Sequence, residues 1–317
     1  MNNEKYPTKG PDFPSMVHIP ICYVCNSECI HCPYSNTNAG IRKEYADKGW
    51  QYMDTELFRK VVTEVGAHKG FVRITGGGEP TLHKDFCSLM RYAKDVGCRV
   101  GLITNGSNWF QDELSAWRLT DCLDVIEFSV DAMDRKTYES IRKGLNWERL
   151  LLGIANMLEI RRKSKEKPKV IVSVIDQTAI NGKIDEIERF WYNFGVDYVI
   201  KRKYLTYDTL QKRDTPDSVP LTADSNTPCP YPFERLEVNV NGDIKFCIYD
   251  IKSAIVLGNI KDMTIAEAWN CDYIKKVRSA MVEGRWDEIS YCRDCKDRLY
   301  KSWTHNYAKV LKEVEAK

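Results

Sequence analysis

Short runs of β-branched and aromatic residues alternate with stretches of helical periodicity along the first two thirds of the chain. The runs at 16–24 (MVHIPICYV), 71–75 (FVRIT), 99–104 (RVGLIT), 124–130 (DVIEFSV), 169–175 (KVIVSVI) and 197–201 (DYVIK) predict strands. Residues 54–68 set Leu57, Val61, Val62 and Val65 on one face behind a cap at Asp54 or Thr55, which predicts a helix. The spacing predicts further helices over 84–97, stopped by Gly97, and over 109–120 and 183–195. The stretch 134–163 reads as helix interrupted near Lys143-Gly144-Leu145-Asn146. Six strands, each but the last followed by helical chain, favour right-handed βα units with parallel strands. Six units fall short of a closed eight-fold barrel, so the expected fold is α/β, a partial (β/α)6 TIM-like barrel. In that geometry reactive groups collect at the C-terminal ends of the strands.

The pattern changes after residue 205. Residues 206–228 are polar, carry three prolines and read as a linker or a substrate-covering loop. Residues 235–247 predict a hairpin turning at Asn241-Gly242, 264–284 a helix, and YCRDCKD (291–297) precedes a charged final helix. The expected organisation is an N-terminal extension (1–15), the partial barrel (16–205), the loop (206–228) and a small α+β extension (229–317). Lys and Arg total 47 against 45 Asp and Glu, so charge gives no argument for nucleic acid or an anionic membrane as partner. The start of the chain is polar, without an apolar segment of signal-peptide length, and no run of about 18 apolar residues occurs; a cytoplasmic location is expected.

Twelve cysteines are many for a reducing compartment, where clustered thiols point to metal binding or catalysis. Cys87, Cys98 and Cys122 lie in or beside apolar stretches and read as core thiols. Cys25, Cys29 and Cys32 can wrap a metal centre in one loop. Three thiolates on a four-iron cluster would leave one iron open, whereas Cys22 as a fourth ligand would close a zinc site. Cys229, Cys247, Cys292 and Cys295 form a second set that could hold either zinc or a fully ligated cluster. The glycines of TGGGEP (75–80), directly after a strand, permit close backbone approach to a ligand or simply make a tight turn.

Together, the C-x3-C-x2-C of Cys25, Cys29 and Cys32, the GGEP at 77–80 and the C-x12-G-x4-C of 229–247 with CRDC at 292–295 resemble the radical S-adenosylmethionine (radical SAM) superfamily. The last two pieces are similar to its SPASM/twitch extension, in the variant with one auxiliary cluster. The resemblance implies a [4Fe–4S] cluster on Cys25, Cys29 and Cys32 that binds S-adenosylmethionine and cleaves it reductively to a 5′-deoxyadenosyl radical. It implies a second [4Fe–4S] cluster on Cys229, Cys247, Cys292 and Cys295, suited to electron transfer. Gly77, Gly78 and Glu79 would hold the methionine end, His31 would lie near the adenine, Ser129 and Asp131 would meet the ribose, and Thr104 and Asn105 would line the pocket.

Two reactions fit that resemblance. One is oxidation of an alcohol on a small polyol, aminocyclitol or carbohydrate, as in 2-deoxy-scyllo-inosamine dehydrogenase-type enzymes, with the auxiliary cluster as electron acceptor. The other is epimerisation of a carbohydrate or aminoglycoside, with Cys271 or Cys22 as hydrogen donor. Lys201, Arg202 or Lys203 could supply a base or bind an anion. A peptide substrate is a third possibility, and a flavodoxin- or ferredoxin-type protein is the expected reductant. From a different class, a zinc- or cluster-binding regulatory module would use the same cysteines without catalysis.

Overall fold

The computed structural model describes residues 10–36, 40–164, 168–205 and 228–295, with Val310 and Lys312. The loop expected at 206–228 lies outside the described residues except for residue 228, as does the final helix except for Val310 and Lys312. Six strands follow the expected alternation: β1 (Met16–Pro20), β2 (Phe71–Thr75), β3 (Arg99–Thr104), β4 (Val125–Ser129), β5 (Lys169–Asp176) and β6 (Tyr198–Lys203). Each pairs in parallel with the next. Helices α1 (Ile41–Asp47), α2 (Thr55–Ala67), α3 (Phe86–Asp95), α4 (Glu113–Thr120), α5 (Arg135–Ile141), α6 (Trp147–Lys163) and α7 (Ile184–Phe194) lie between them. The interruption between α5 and α6 falls at 142–146, where Gly144 takes a left-handed φ of 90° and Asn146 caps α6.

One face of the strands, including Val17, Ile19, Val72, Ile74, Ile126 and Val172, packs in the main core with the helices. The other face turns inward. Its lowest residues, Met16, Phe71, Val125, Ile171 and Ile200, meet in one apolar cluster that Val310 completes. Side chains from β1 and β6 can share a cluster across four intervening strands only if the sheet curls, which is the partial barrel.

Strand β1 is shorter than its apolar run. It ends at Pro20, which has no N–H for a central ladder. Residues 21–23 leave the sheet and pair with 51–53: the Met53 amide donates to the Ile21 carbonyl at 2.9 Å and the Tyr23 amide to the Gln51 carbonyl at 2.8 Å.

The C-terminal part contains α8 (Tyr231–Glu234), β7 (Arg235–Val238), β8 (Asp243–Lys245), β9 (Gly258–Asn259), α9 (Ile265–Trp269), α10 (Asp272–Val282) and α11 (Ser290–Arg293). The hairpin loop is longer than an Asn-Gly turn. The Asn239 amide reaches the Asp243 carbonyl, and Gly242, at φ 92°, closes the turn on the Asn239 carbonyl. The helix expected over 264–284 is two helices. Thr264 and Glu267 form a capping box on α9, and Cys271 stands at the N-cap of α10. The extension is not a separate sheet: β7 pairs in parallel with β1, giving the order β6-β5-β4-β3-β2-β1-β7-β8-β9. No helix among the described residues is long and apolar enough to cross a membrane.

Candidate active site

Beyond Pro20 the chain enters the first cysteine loop, which the glycine turn after β2 supports from below. A Cβ on Gly78 would lie 2.2 Å from the Val24 carbonyl oxygen, and one on Gly77 would lie 2.4 Å from the Tyr23 ring. Only glycine permits that approach, and the Glu79 amide then donates to the Val24 carbonyl at 2.8 Å. Arg42, buried on α1, ties the two loops together. It donates to the Gly77 carbonyl at 2.6 Å, the Ser27 carbonyl at 2.8 Å and the Cys32 sulfur at 3.5 Å. A second buried guanidinium, Arg142, points at the Cys29 sulfur from 3.8 Å, and the Ser27 hydroxyl lies 3.1 Å from the same sulfur.

Cys25, Cys29 and Cys32 act on one another electrostatically, and burial pushes the Cys25 thiol up to about 12. Cys22 stands apart: it is fully buried, bridges to Tyr52, and its Sγ lies 3.3 Å from the Val24 carbonyl. It does not join the set of three. The second set converges likewise. The fields of Cys295, Cys229 and Cys292 all reach Cys247, and the Tyr231 and Tyr249 amides bond the Cys229 and Cys247 sulfurs. Among the described residues no group of three or more His, Cys, Asp or Glu side chains gathers closely enough for a single metal ion.

Glu79 is buried and fully used inside the protein. Oε1 accepts from the Thr81 and Thr104 hydroxyls, both at 2.7 Å, and Oε2 from the Asn105 amide at 2.7 Å. Thr104 and Asn105 thereby join the ends of β2 and β3, and Asn105 reaches Asn26 in the cysteine loop at 2.9 Å. Asp131, at a left-handed φ of 67°, accepts from Arg142 at 2.6 Å and from the Ile175 amide at 2.7 Å. His31 Nε2 lies 3.6 Å from the same carboxylate, and burial lowers the His31 pKa to about 4. Asp131 thus holds Arg142 against Cys29, and Ser129 is the member of that pair that lines the open cavity.

The cavity is about 200 Å³ and opens at the C-terminal ends of the strands. His18, Arg73, Glu127, Ser173, Arg202, Arg235 and Glu237 line it from six different strands. Glu127 bridges Arg73, at 2.8 Å, and Arg202. Strand alternation separates the three basic residues of β6: Arg202 points inward, while Lys201 turns out to Asp185 and Glu188 on α7 at 3.0 and 2.8 Å. Lys203 pairs with Asp176 at 3.5 Å. Near the second thiol set, Tyr231 and Tyr249 line the cavity with their hydroxyls 2.8 Å apart. Neither Cys271 nor Cys22 lines it.

The sequence reading missed Arg42, Arg142 and, apart from Arg202, the charged interior. The interior left a signal. Parallel strands covered on both faces should be continuously apolar, yet FVRIT and VIEFS each carry a charge at the centre.

A curled parallel sheet with a three-thiol loop after its first strand and a four-thiol extension defines an iron–sulfur enzyme class. The profile of the radical SAM superfamily matches residues 19–175, and that of the SPASM iron–sulfur cluster-binding domain matches 229–296. The chain belongs to the radical SAM superfamily, and its cofactors are S-adenosylmethionine and [4Fe–4S] clusters. A probable GTP 3′,8-cyclase of Sulfurisphaera tokodaii is 27% identical over 185 residues, 57% of this chain and 53% of its own length. The chain spans about half the length of the curated relatives it matches, or less. The crystal structure of BtrN in complex with AdoMet and 2-DOIA aligns at a TM-score of 0.56 and 17% identity, over 89% of this chain and 92% of that one. Native anSMEcpe with bound AdoMet and Cp18Cys peptide aligns at 0.63 and 17% identity, over 94% and 95%. At these identities the likeness is one of fold.

The residues present fit the cofactors. The first loop offers three thiols with two guanidiniums aimed at their sulfurs, which offsets the negative charge of a thiolate-bound cluster, and no fourth thiol closes it.

Proposed function

We propose that this radical SAM enzyme oxidises an alcohol carbon of a small polyol, aminocyclitol or carbohydrate, with the auxiliary cluster accepting the second electron. When bound, S-adenosylmethionine on the first cluster supplies hydrogen-atom abstraction from carbon, and the auxiliary cluster supplies one-electron acceptance. The observation that carries the reading is the cavity. It is small, hydrogen-bonding side chains from six strands share its walls with Pro20, Ile103, Ile175, Leu205 and Ile248, and none of the twelve cysteines lines it.

Each part of the chain has a task in that reading. Cys25, Cys29 and Cys32 hold the first cluster, and Arg42 and Arg142 fix the loop and its charge. Gly77, Gly78 and Glu79 set the floor on which the methionine end rests. Ser129, Ser173 and the arginines of the interior orient the substrate hydroxyls. Arg202 is ion-paired to Glu127, so its task in this reading is to orient, and the proton leaves to solvent. Epimerisation needs a donor that returns a hydrogen atom to carbon, and Cys22 and Cys271 are both away from the cavity wall.

The test is anaerobic turnover of reconstituted enzyme with candidate aminocyclitols, polyols and carbohydrates, sugar acids included, in deuterated water. Oxidation gives 5′-deoxyadenosine together with a ketone lacking one pair of hydrogens and free of carbon-bound deuterium at the reacting centre. An epimer carrying one carbon-bound deuterium would overturn the reading.

A further inference from the structure

Three arginines enter the barrel interior from three strands: Arg73 from β2, Arg202 from β6 and Arg235 from β7. Arg142 lines the same cavity but is held by Asp131. Two carboxylates face this group. Glu237 is engaged by the buried Lys245 at 2.6 Å, and Glu127 is shared between Arg73 and Arg202. At the start of β7, beside Met16, Arg235 also meets Glu234 at 2.8 Å. Among the cavity-lining residues, guanidinium outnumbers carboxylate four to two.

His18 lies in the middle of this field. It is 1% exposed, lines the cavity, and its Nε2 has no hydrogen-bond partner among the described residues. Burial, with the charges of Arg73, Arg235 and Arg202, pushes its pKa well below the ordinary imidazole value, so it stays neutral and keeps one N–H to donate. A buried ring nitrogen without a partner is uncommon and marks a place where a ligand group completes the site.

We propose that the cavity takes a substrate carrying an oxyanion, a carboxylate or a phosphate ester, seated against Arg202, Arg73 and Arg235 and hydrogen-bonded to His18. The proposal rests on the cavity being the substrate site and narrows the hydroxylated class to its acids. A guanidinium presents a planar fork that matches two oxygens of such a group. Glu127 is the counter-charge in the absence of ligand, and it holds Arg73 and Arg202 pointing inward. A cationic aminocyclitol would instead meet like charge from three directions, so the same field selects against it.

Anion binding can be read apart from chemistry. Reconstituted full-length enzyme is titrated calorimetrically under anaerobic conditions with gluconate, glucitol and inorganic phosphate. Saturating S-adenosylmethionine is present, so that the cofactor's own carboxylate is not the anion measured. Gluconate should bind at least about tenfold more tightly than glucitol, and the preference should shrink as salt is added. Phosphate should compete with gluconate. Arg202→Gln should weaken gluconate by about tenfold or more and glucitol by clearly less, so that the preference for the anion collapses. Arg235→Gln, at the start of β7, carries the same expectation should the first variant not fold. Equal affinity for gluconate and glucitol, unchanged gluconate affinity in the variants, or no binding of either anion would overturn the proposal. Dithionite-driven cleavage of S-adenosylmethionine, followed in the same preparation, reports on the radical reading alone. Its failure with anion binding intact, or the reverse, tells the two apart.

Discussion

At the scale of single residues, the first cysteine loop is held mostly by contacts that need one particular side chain. Gly78 has no room for a methyl group against the Val24 carbonyl. Gly78→Ala should cost about 1–3 kcal/mol of stability and displace the segment leading into Cys25. Iron per chain in the reconstituted variant should then fall toward that of a protein holding the auxiliary cluster alone. Full iron content with an unchanged visible spectrum would show that the close approach is dispensable. Glu127 gives a pH-dependent test. Its burial alone would raise its pKa, but Arg202 and Arg73 outweigh burial and lower it from 4.5 to about 2. A carboxyl depressed in the folded state contributes stability that is complete above its unfolded pKa and is lost as pH falls through the folded one. Urea unfolding of the cluster-free chain between about pH 6 and 3 should therefore show a steeper acid loss in wild type than in Glu127→Gln. Parallel slopes would remove Glu127 from the account. The first cysteine loop and the glycine turn stood out in the sequence because each is nearly contiguous, whereas the second cysteine set is spread over 229–295 and was read as a set mainly through the resemblance. Arg42 and Arg142 were not, since a buried arginine on a short helix or at its end has the same polar pattern as a solvated one.

At the scale of elements, periodicity located every barrel strand, and Lys143-Gly144-Leu145-Asn146 marked the break between α5 and α6. Pro20 ended β1 early, against the apolar run that continues to Val24, because a central strand cannot spare the missing N–H. The pairing of β7 with β1 left no trace in the sequence. Its register, Val17 against Leu236 and His18 against Glu237, joins residues more than 200 positions apart, and no local pattern reports such a contact. Beside the pairing, the Tyr23 hydroxyl donates to Asn239 at 2.8 Å, and the Asn239 amide group reaches the Tyr45 hydroxyl at 3.1 Å. The barrel and the extension should therefore unfold together. Leu236→Ala, at a fully buried position of β7, should cost about 2–5 kcal/mol and lower one common transition in calorimetry of the holoprotein. Two separated transitions, with only the smaller one moved, would show that the extension folds independently.

At the scale of the whole molecule, the two thiol sets flank one cavity. The first is held by the loop after β1; the second contains Cys247, just beyond β8. Tyr231 and Tyr249 stand where the cavity wall meets the second set. Net charge is close to neutral across the chain, so the basic character of the interior is local and cannot be read from composition. The nine-stranded sheet passes beneath both sets without interruption. If the proposed oxidation holds, the gap an electron would cross between the first set and Cys247 is spanned by a hydrogen-bonded ladder and not by a hinge, so tuning of the hop would fall to the reduction potentials, through burial and the N–H donors on sulfur.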